Sequence, residues 1–447
     1  MILRRFLSFS AILAALAAGA ALAATTPAAP AKLAIPPAFE TQDDVPLPDP
    51  DLWQRIRMGF TLEAMDSPLV TENEAWYASR PDYIRRFVDR GSLYLHHIVE
   101  EVERRGMPME IALLPVVESA FTPKAQSRAK ASGLWQFIPS TGKSYGLTQD
   151  WWRDNRNDVV ASTGAALNYL QRLHDMFGSW ELALAAYNSG EGRVSRAIAA
   201  NQKKGLPTDF LSLKLPDETR NYVPRLIAVK NIVLAPASYG IELESVPDQP
   251  YFTAVPAPHR IDVPLAAKLA GMSVEEFVAL NPAHNKPVAI APTGTLLVPM
   301  DKADTFRTNL ESYDKPLVTW TTYMAKKGES LDAIAKRYGV PPSQMASVNS
   351  AVKVDKNRRL RTAQQVLVPI GSKQPPVQMA QAAIANDATT EPRPPQIAAS
   401  TTWYTVRAGD TLYGIARRAN LAMEKLLQIN GLTNASVLQP GLKLRLQ

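Results

Sequence analysis

Near residue 250 this 447-residue sequence changes texture. Before that point apolar residues recur at helical spacing, and no sustained strand-like alternation is present. After it a unit of about 45 residues recurs, the kind of period that marks stacked or tandem modules. The last copy is the clearest. Trp403-Tyr404-Thr405-Val406 reads as a strand and Gly409-Asp410-Thr411 as a turn that opens a helix, with Leu412, Ile415, Ala416 and Ala419 on one face. Ala422 to Asn430 gives a second helix, Gln439-Pro440-Gly441 a turn, and Leu442 to Leu446 a closing strand. An earlier copy begins at Tyr323, continues through Gly328-Glu329-Ser330 and Leu331 to Ala335, and closes on Val366-Leu367-Val368-Pro369. A worn copy runs from His259 to Met300 and lacks the Gly-Asp/Glu-Thr/Ser turn, so it is expected to keep the fold without binding as the others do.

The first half predicts a domain built of helices. Helical spacing runs through Asp51 to Met65, Pro81 to Asp89, Leu93 to Arg105, and a segment from Pro108 that ends at Glu118. It resumes over Trp151-Trp152, Ala161 to Phe177, Glu181 to Asn188, Arg193 to Ala200 and Asn221 to Leu234. At least one of Trp151 and Trp152 is expected to be core.

Composition narrows the function. Arg4-Arg5, an apolar stretch from Phe6 to Leu22 and the small-residue motif Ala21-Leu22-Ala23 read as a secretory leader cleaved after Ala23. The chain has no cysteine, which removes disulfides, thiolate metal sites and a lipid-bearing cysteine at once. The net charge of +7 includes the two leader arginines, and no basic run with interleaved aromatics points to nucleic acid. His96, His97, His174, His259 and His284 show no metal-ligand spacing, and no cofactor is implied.

The chemistry concentrates between Glu118 and Tyr145. Ile111 to Val117 is a buried run by pattern, so the Glu118 carboxylate leaves it poorly hydrated. Desolvation favours the neutral acid and raises the pKa, the property a general acid needs near neutral pH. Ser127 and Gln136 follow, able to hydrogen-bond sugar hydroxyls or acetamides, and Trp135 is of a type that stacks on a pyranose face. Most glycosidases use two carboxylates. Only one convincing candidate is present: Asp154, Asp158, Glu191 and Glu218 are available, but each has a better structural account, Asp158 as a helix cap and Glu191 and Glu218 at helix starts beside Arg193 and Arg220.

Four ordered blocks, Glu118-Ser119-Ala120-Phe121, Ala131 to Gly142, Ala186 to Val194 and Glu218 to Leu226, resemble the signature blocks of family 1 lytic transglycosylases. The repeated strand-helix-helix-strand unit resembles the LysM carbohydrate-binding module. The resemblance implies an all-α lysozyme-like catalytic domain of the goose-type or SLT kind, followed by small α+β LysM modules of βααβ order. It further implies Glu118 as a single acid/base and Ser127, Gln136, Ile138, Tyr187, Asn188 and Tyr222 as substrate-binding residues, with Ile138 where related enzymes often carry Met. The product would be a 1,6-anhydromuramoyl end on peptidoglycan, whose GlcNAc-MurNAc strands are the expected partner. Two alternatives stay open: a goose-type lysozyme-like hydrolase and a non-catalytic murein-binding scaffold. The expected layout is a leader over 1–23, a flexible segment 24–50, the catalytic domain 51–240, a degenerate module 255–300, a module 319–370, a linker 371–401 and a module 402–447. The implied location is the periplasm of a Gram-negative-type envelope, at the cell wall and without a covalent lipid anchor.

Overall fold

The computed structural model describes residues 51–370 and, toward the C-terminus, 403–406, 415, 419, 421, 423–432 and 441–446. The expected leader, segment 24–50, linker 371–401 and the turn at Gly409-Asp410-Thr411 lie outside the described residues. So do Leu412, Ala416 and the Gln439-Pro440 pair.

The helical part runs α1 (Leu52–Met58), α2 (Pro68–Ala78), α3 (Pro81–Gly91), α4 (Leu95–Glu103), a 3-10 turn over Met109–Leu113, and α5 (Leu114–Ser119). It continues with α6 (Pro139–Ser144), α7 (Val159–Phe177), α8 (Trp180–Ser189), α9 (Glu191–Gln202) and α10 (Asp217–Leu234). Among the described residues no strand precedes Phe252. Helix α2, which the helical spacing does not predict, buries Val70, Asn73 and Tyr77, so a polar residue interrupts its apolar stripe. Helix α7 starts where the Asp158 carboxylate accepts from the Ala161 N–H at 2.9 Å, and it stops at Gly178, whose φ of 68° suits a residue without a side chain.

Helix α10 packs against α2, α8 and the segment that carries Glu118. Its buried face, with Val223, Leu226, Ile227 and Val233, belongs to one core that also holds Trp53, Tyr94, Leu113, Trp135 and Leu170. Each such side chain contributes roughly 1.5–3 kcal/mol on burial. One ion pair crosses this core. Glu110, fully buried, accepts from the Leu62 N–H at 2.9 Å and the Thr61 N–H at 3.2 Å, and lies 3.3 Å from Lys230 Nζ of α10. A carboxylate there is tolerable only because its partners meet it, so the run leading to Glu118 has one position relative to α10.

The second half is modular. In the first module β1 (Phe252–Pro256) pairs antiparallel with β4 (Thr295–Pro299), and β2 (Arg260–Asp262) with β3 (Val288–Ile290). Helices α11 (Val263–Ala270) and α12 (Val274–Leu280) lie between them in sequence. A further helix, α13 (Ala303–Glu311), packs back on α11, so this unit reaches past the expected end at residue 300. The second module is β5 (Trp320–Ala325), α14 (Leu331–Arg337), α15 (Pro342–Val348) and β6 (Gln364–Pro369), with Trp320 opposite Pro369. In the last, β7 (Trp403–Thr405) pairs with β8 (Lys443–Arg445), and α16 (Met423–Asn430) packs on β8.

One residue type locks all three. Asn281, Asn349 and Asn430 stand at the end of the second helix, and each side-chain amide donates to the carbonyl four residues back. Each also bonds both backbone groups of one residue on the closing strand, Leu297, Leu367 or Arg445, at 2.6–3.0 Å. With each bond worth about 1 kcal/mol net, the triplet matters to units with so small a core. The worn copy keeps its asparagine and therefore the fold.

Candidate active site

Helix α5 brings Glu118 to the site and ends at once. Ala120 and Phe121 follow in the left-handed region, at φ of 48° and 53°, unusual for residues with side chains. Phe121 is buried, and its ring lies so close to Gly91 that a Cβ there would stand 3.0 Å from two ring carbons. The anchored ring holds the reversal, and Glu118 is left half-buried on the wall of a cleft of about 570 Å³.

Burial pushes the Glu118 carboxyl up to about 7. The Tyr222 hydroxyl, which donates to Glu118 Oε1, opposes that shift by favouring the charged form; nearby Glu218 adds to it and Arg225 opposes it. Burial also raises Tyr222 and Tyr187 well above the usual phenol range, so both remain donors. Tyr187 donates to the Trp135 carbonyl at 2.8 Å, and its ring meets Phe137 edge-on and Tyr169 at a tilt. Asn188, which lines the same cleft, accepts from the buried Thr219 hydroxyl at 2.8 Å, which fixes its amide.

Ser127 and Gln136 come from one loop. The Ser127 N–H donates to Ala131 O at 2.9 Å, and its hydroxyl accepts from the Ala131 N–H at 3.1 Å. Gln136 has φ of 48° and donates both amide protons, to Gly133 O at 2.9 Å and Ala125 O at 3.1 Å. The amide oxygen is its acceptor. Ile138, exposed, precedes α6 at the rim.

All seven residues singled out in the sequence line this one cleft. One expectation fails. Trp135 is fully buried, its indole N–H donating to Thr163 at 3.0 Å, so it is core and no sugar can stack on it. Glu191 opens α9, as expected, and its carboxylate pairs with Arg172 at 2.6 Å and accepts from Tyr169, both on α7. Arg220 pairs with Asp217 at 2.7 Å, which leaves Glu218 on the cleft. Asp154 is held by Arg156 at 2.6 Å and lines no part of the cleft, nor does the helix cap Asp158. Sequence reading passed over Arg225 and Tyr169. The signal for the first was present: Glu218, Tyr222 and Arg225 stand four and three residues apart on α10, one helical face. Among the described residues no group of His, Asp and Glu side chains is placed to hold a metal ion.

Three family models match the chain. They are the transglycosylase SLT domain over residues 97–209, the LysM domain over 323–369 and 404–447, and the LysM-like domain of lytic transglycosylase MltD over 251–315. The chain is 35% identical over 413 residues to membrane-bound lytic murein transglycosylase D of Escherichia coli, covering 89% of this chain and 86% of that one. Among solved structures it is similar to an inactive variant of lytic transglycosylase Slt from Pseudomonas aeruginosa, at 25% identity and a TM-score of 0.27, covering 34% of this chain and 26% of that chain. It is also similar to the 70 kDa soluble lytic transglycosylase of Escherichia coli, at 26% identity and a TM-score of 0.25, covering 32% and 23%. With that identity along nearly its whole length, and with an SLT domain followed by LysM modules, the chain belongs to the family of membrane-bound lytic murein transglycosylase D and is a peptidoglycan lytic transglycosylase.

Proposed function

We propose that Glu118 works alone as acid and then base, and that cleavage of the MurNAc-β-1,4-GlcNAc bond leaves a 1,6-anhydro-MurNAc end. The observation that carries this reading is a carboxyl held near pH 7 by burial, in a cleft whose other acid, Glu218, is exposed. Protonated Glu118 gives its proton to the glycosidic oxygen as the bond from muramic C1 breaks and the acetamide oxygen of the same sugar supports C1. The Glu118 carboxylate then takes the proton of the C6 hydroxyl, whose oxygen bonds to C1. No water is consumed and Glu118 ends protonated. Tyr222 keeps the carboxyl aimed; Ser127, the Gln136 amide oxygen and Asn188 hold acetamide or hydroxyl groups, while Ile138 and Tyr187 shape the wall.

Glu218 is the observation that favours a hydrolase, since it is placed to activate water where Asp154 and Asp158 are not. Glu218→Gln separates the two readings. The transglycosylase keeps activity on sacculi within a few-fold, and its alkaline limb moves slightly to lower pH because a negative neighbour of Glu118 is gone. A general base would be missed by roughly 10²-fold or more.

The LysM modules raise the local concentration of enzyme on a polymer. Trp320 and Leu367 of the second module pack with Trp152 of the helical part, so the cut that spares the cleft falls after residue 370. Removing residues 371–447 is expected to weaken sacculus binding by about tenfold while cleavage of short soluble chains stays within twofold. Equal losses in the two assays would refute this division of labour. The leader reading makes the enzyme an exported, periplasmic one; among the described residues no helix is long and apolar enough to cross a membrane.

A further inference from the structure

The module over residues 251–315 is stitched to the helical part by backbone. The Asp154 N–H donates to Ala283 O and the Asn285 N–H to Trp152 O, both at 2.8 Å, making a short antiparallel bridge between Arg153 and His284. Lys124 Nζ donates to His284 O at 2.9 Å and Tyr94 Oη to Ala279 O at 2.9 Å. Trp152, nearly buried, packs on Val288 and Ile290 under the Arg260 guanidinium, which lies 5.0 Å from its ring. The corner before α11, where the other copies have the Gly-Asp/Glu-Thr/Ser turn, is covered by the module's own exit: the Asp262 N–H donates to Leu317 O, and its carboxylate accepts from the Thr319 N–H at 2.9 Å.

The segment so clamped carries Arg156. Its guanidinium is nearly buried, bound by the Asp154 carboxylate at 2.6 Å, and one nitrogen donates to both Lys130 O at 2.6 Å and Phe137 O at 2.9 Å. Those carbonyls stand on either side of the stretch that contains Gln136, and Lys130 neighbours the Ser127–Ala131 closure. Gly133, at φ 89°, sits so tightly on Arg156 that a Cβ would lie 2.1 Å from its carbonyl oxygen. Ser132 Oγ donates to Asn157 at 2.8 Å. The loop that presents Ser127 and Gln136 therefore rests on residues 156–157, which are continuous with the strip that the module holds.

We infer that the module over residues 251–315 supports the cleft instead of adding a third glycan site, and that Arg156 is the positioning residue through which it does so. The inference rests on the reading of Ser127 and Gln136 as substrate holders. A five-donor planar fork suits the task, because it meets a carboxylate on one edge and two carbonyls on the other.

The test uses the full chain on short soluble glycan strands, comparing Arg156→Met, Arg156→Lys and Trp152→Ala. Misplacing the loop by about 1 Å should lower kcat/KM by roughly 10²-fold in Arg156→Met. KM rises as kcat falls, whereas a smaller folded fraction lowers kcat alone. The alkaline limb stays in place, because Glu118 and Tyr222 lie on α5 and α10. Trp152→Ala shows the same pattern more weakly with sacculus binding unchanged, and Arg156→Lys falls between it and the parent. Parental KM in Trp152→Ala and Arg156→Lys overturns the inference even if Arg156→Met does not fold. So does loss of sacculus binding at unchanged kcat, which assigns the contact at Trp152, shared by the first two modules, to glycan binding. Glu118→Gln run alongside keeps the two readings apart: if it is inactive while these variants match the parent, only the positioning inference falls.

Discussion

Glu118→Gln is expected to lower the release of soluble fragments from sacculi by about 10³-fold, the scale of a lost general acid and base. The substitution keeps the volume of the side chain and a group able to accept from Tyr222, so the cleft stays filled and the fold unstressed. What goes is the proton. An amide cannot give one to a departing sugar oxygen, nor take one from the attacking hydroxyl, and both halves of the reaction stop together. Binding to sacculi persists, because it resides in the modules and the remaining cleft. Turbidity loss and a pull-down on the same preparation read the two quantities side by side. Substantial lysis by the variant would sink the assignment of Glu118.

The second large effect is on pH dependence. With Glu118 proposed as the acid, kcat/KM should fall as pH rises through about 7, where burial holds this carboxyl. Tyr222 donates to it and so stabilises the charged form. Removing that donor in Tyr222→Phe raises the Glu118 pKa further, and the alkaline limb moves to higher pH. At the same time the carboxyl loses the contact that aims it, and the plateau drops by roughly ten- to hundredfold. A limb that moves to lower pH, or does not move, would contradict the electrostatic account; an unchanged plateau would contradict the role in aiming. The direction of the shift separates this account from simple loss of fold, which moves no limb.

The sequence revealed the helical domain and the repeated modules because both are written in local patterns: amphipathic spacing in the first half and strand-helix-helix-strand order in the second. The cleft was legible for a different reason. Glu118, Gln136, Tyr187 and Tyr222 lie far apart in the chain, and it is the four ordered blocks that bring them to attention together. What stayed hidden depends on contacts between distant elements. Trp135 has the composition of a sugar platform, and only the packing of α7, through Thr163, turns it inward. Glu191 reads as a residue of a helix start, which it is, but its ion pair with Arg172 of α7 has no local trace. Helix α2, whose apolar stripe a polar residue interrupts, escaped notice, although it packs against α10. The shared asparagine lock was visible as Asn281, Asn349 and Asn430, but its meaning needs the closing strand within 3.0 Å. The docking of the worn copy onto residues 152–154 leaves no periodic trace at all.

The central claim is that one carboxylate and the substrate's own hydroxyl suffice. Mass spectrometry of fragments released from purified sacculi tests it most directly. The account predicts muramic ends lighter by one water than reducing ends, in every fragment released by the enzyme, and none in reactions with Glu118→Gln. Reducing muramic ends from the parent enzyme would contradict it and turn attention to Glu218 as a water-activating base.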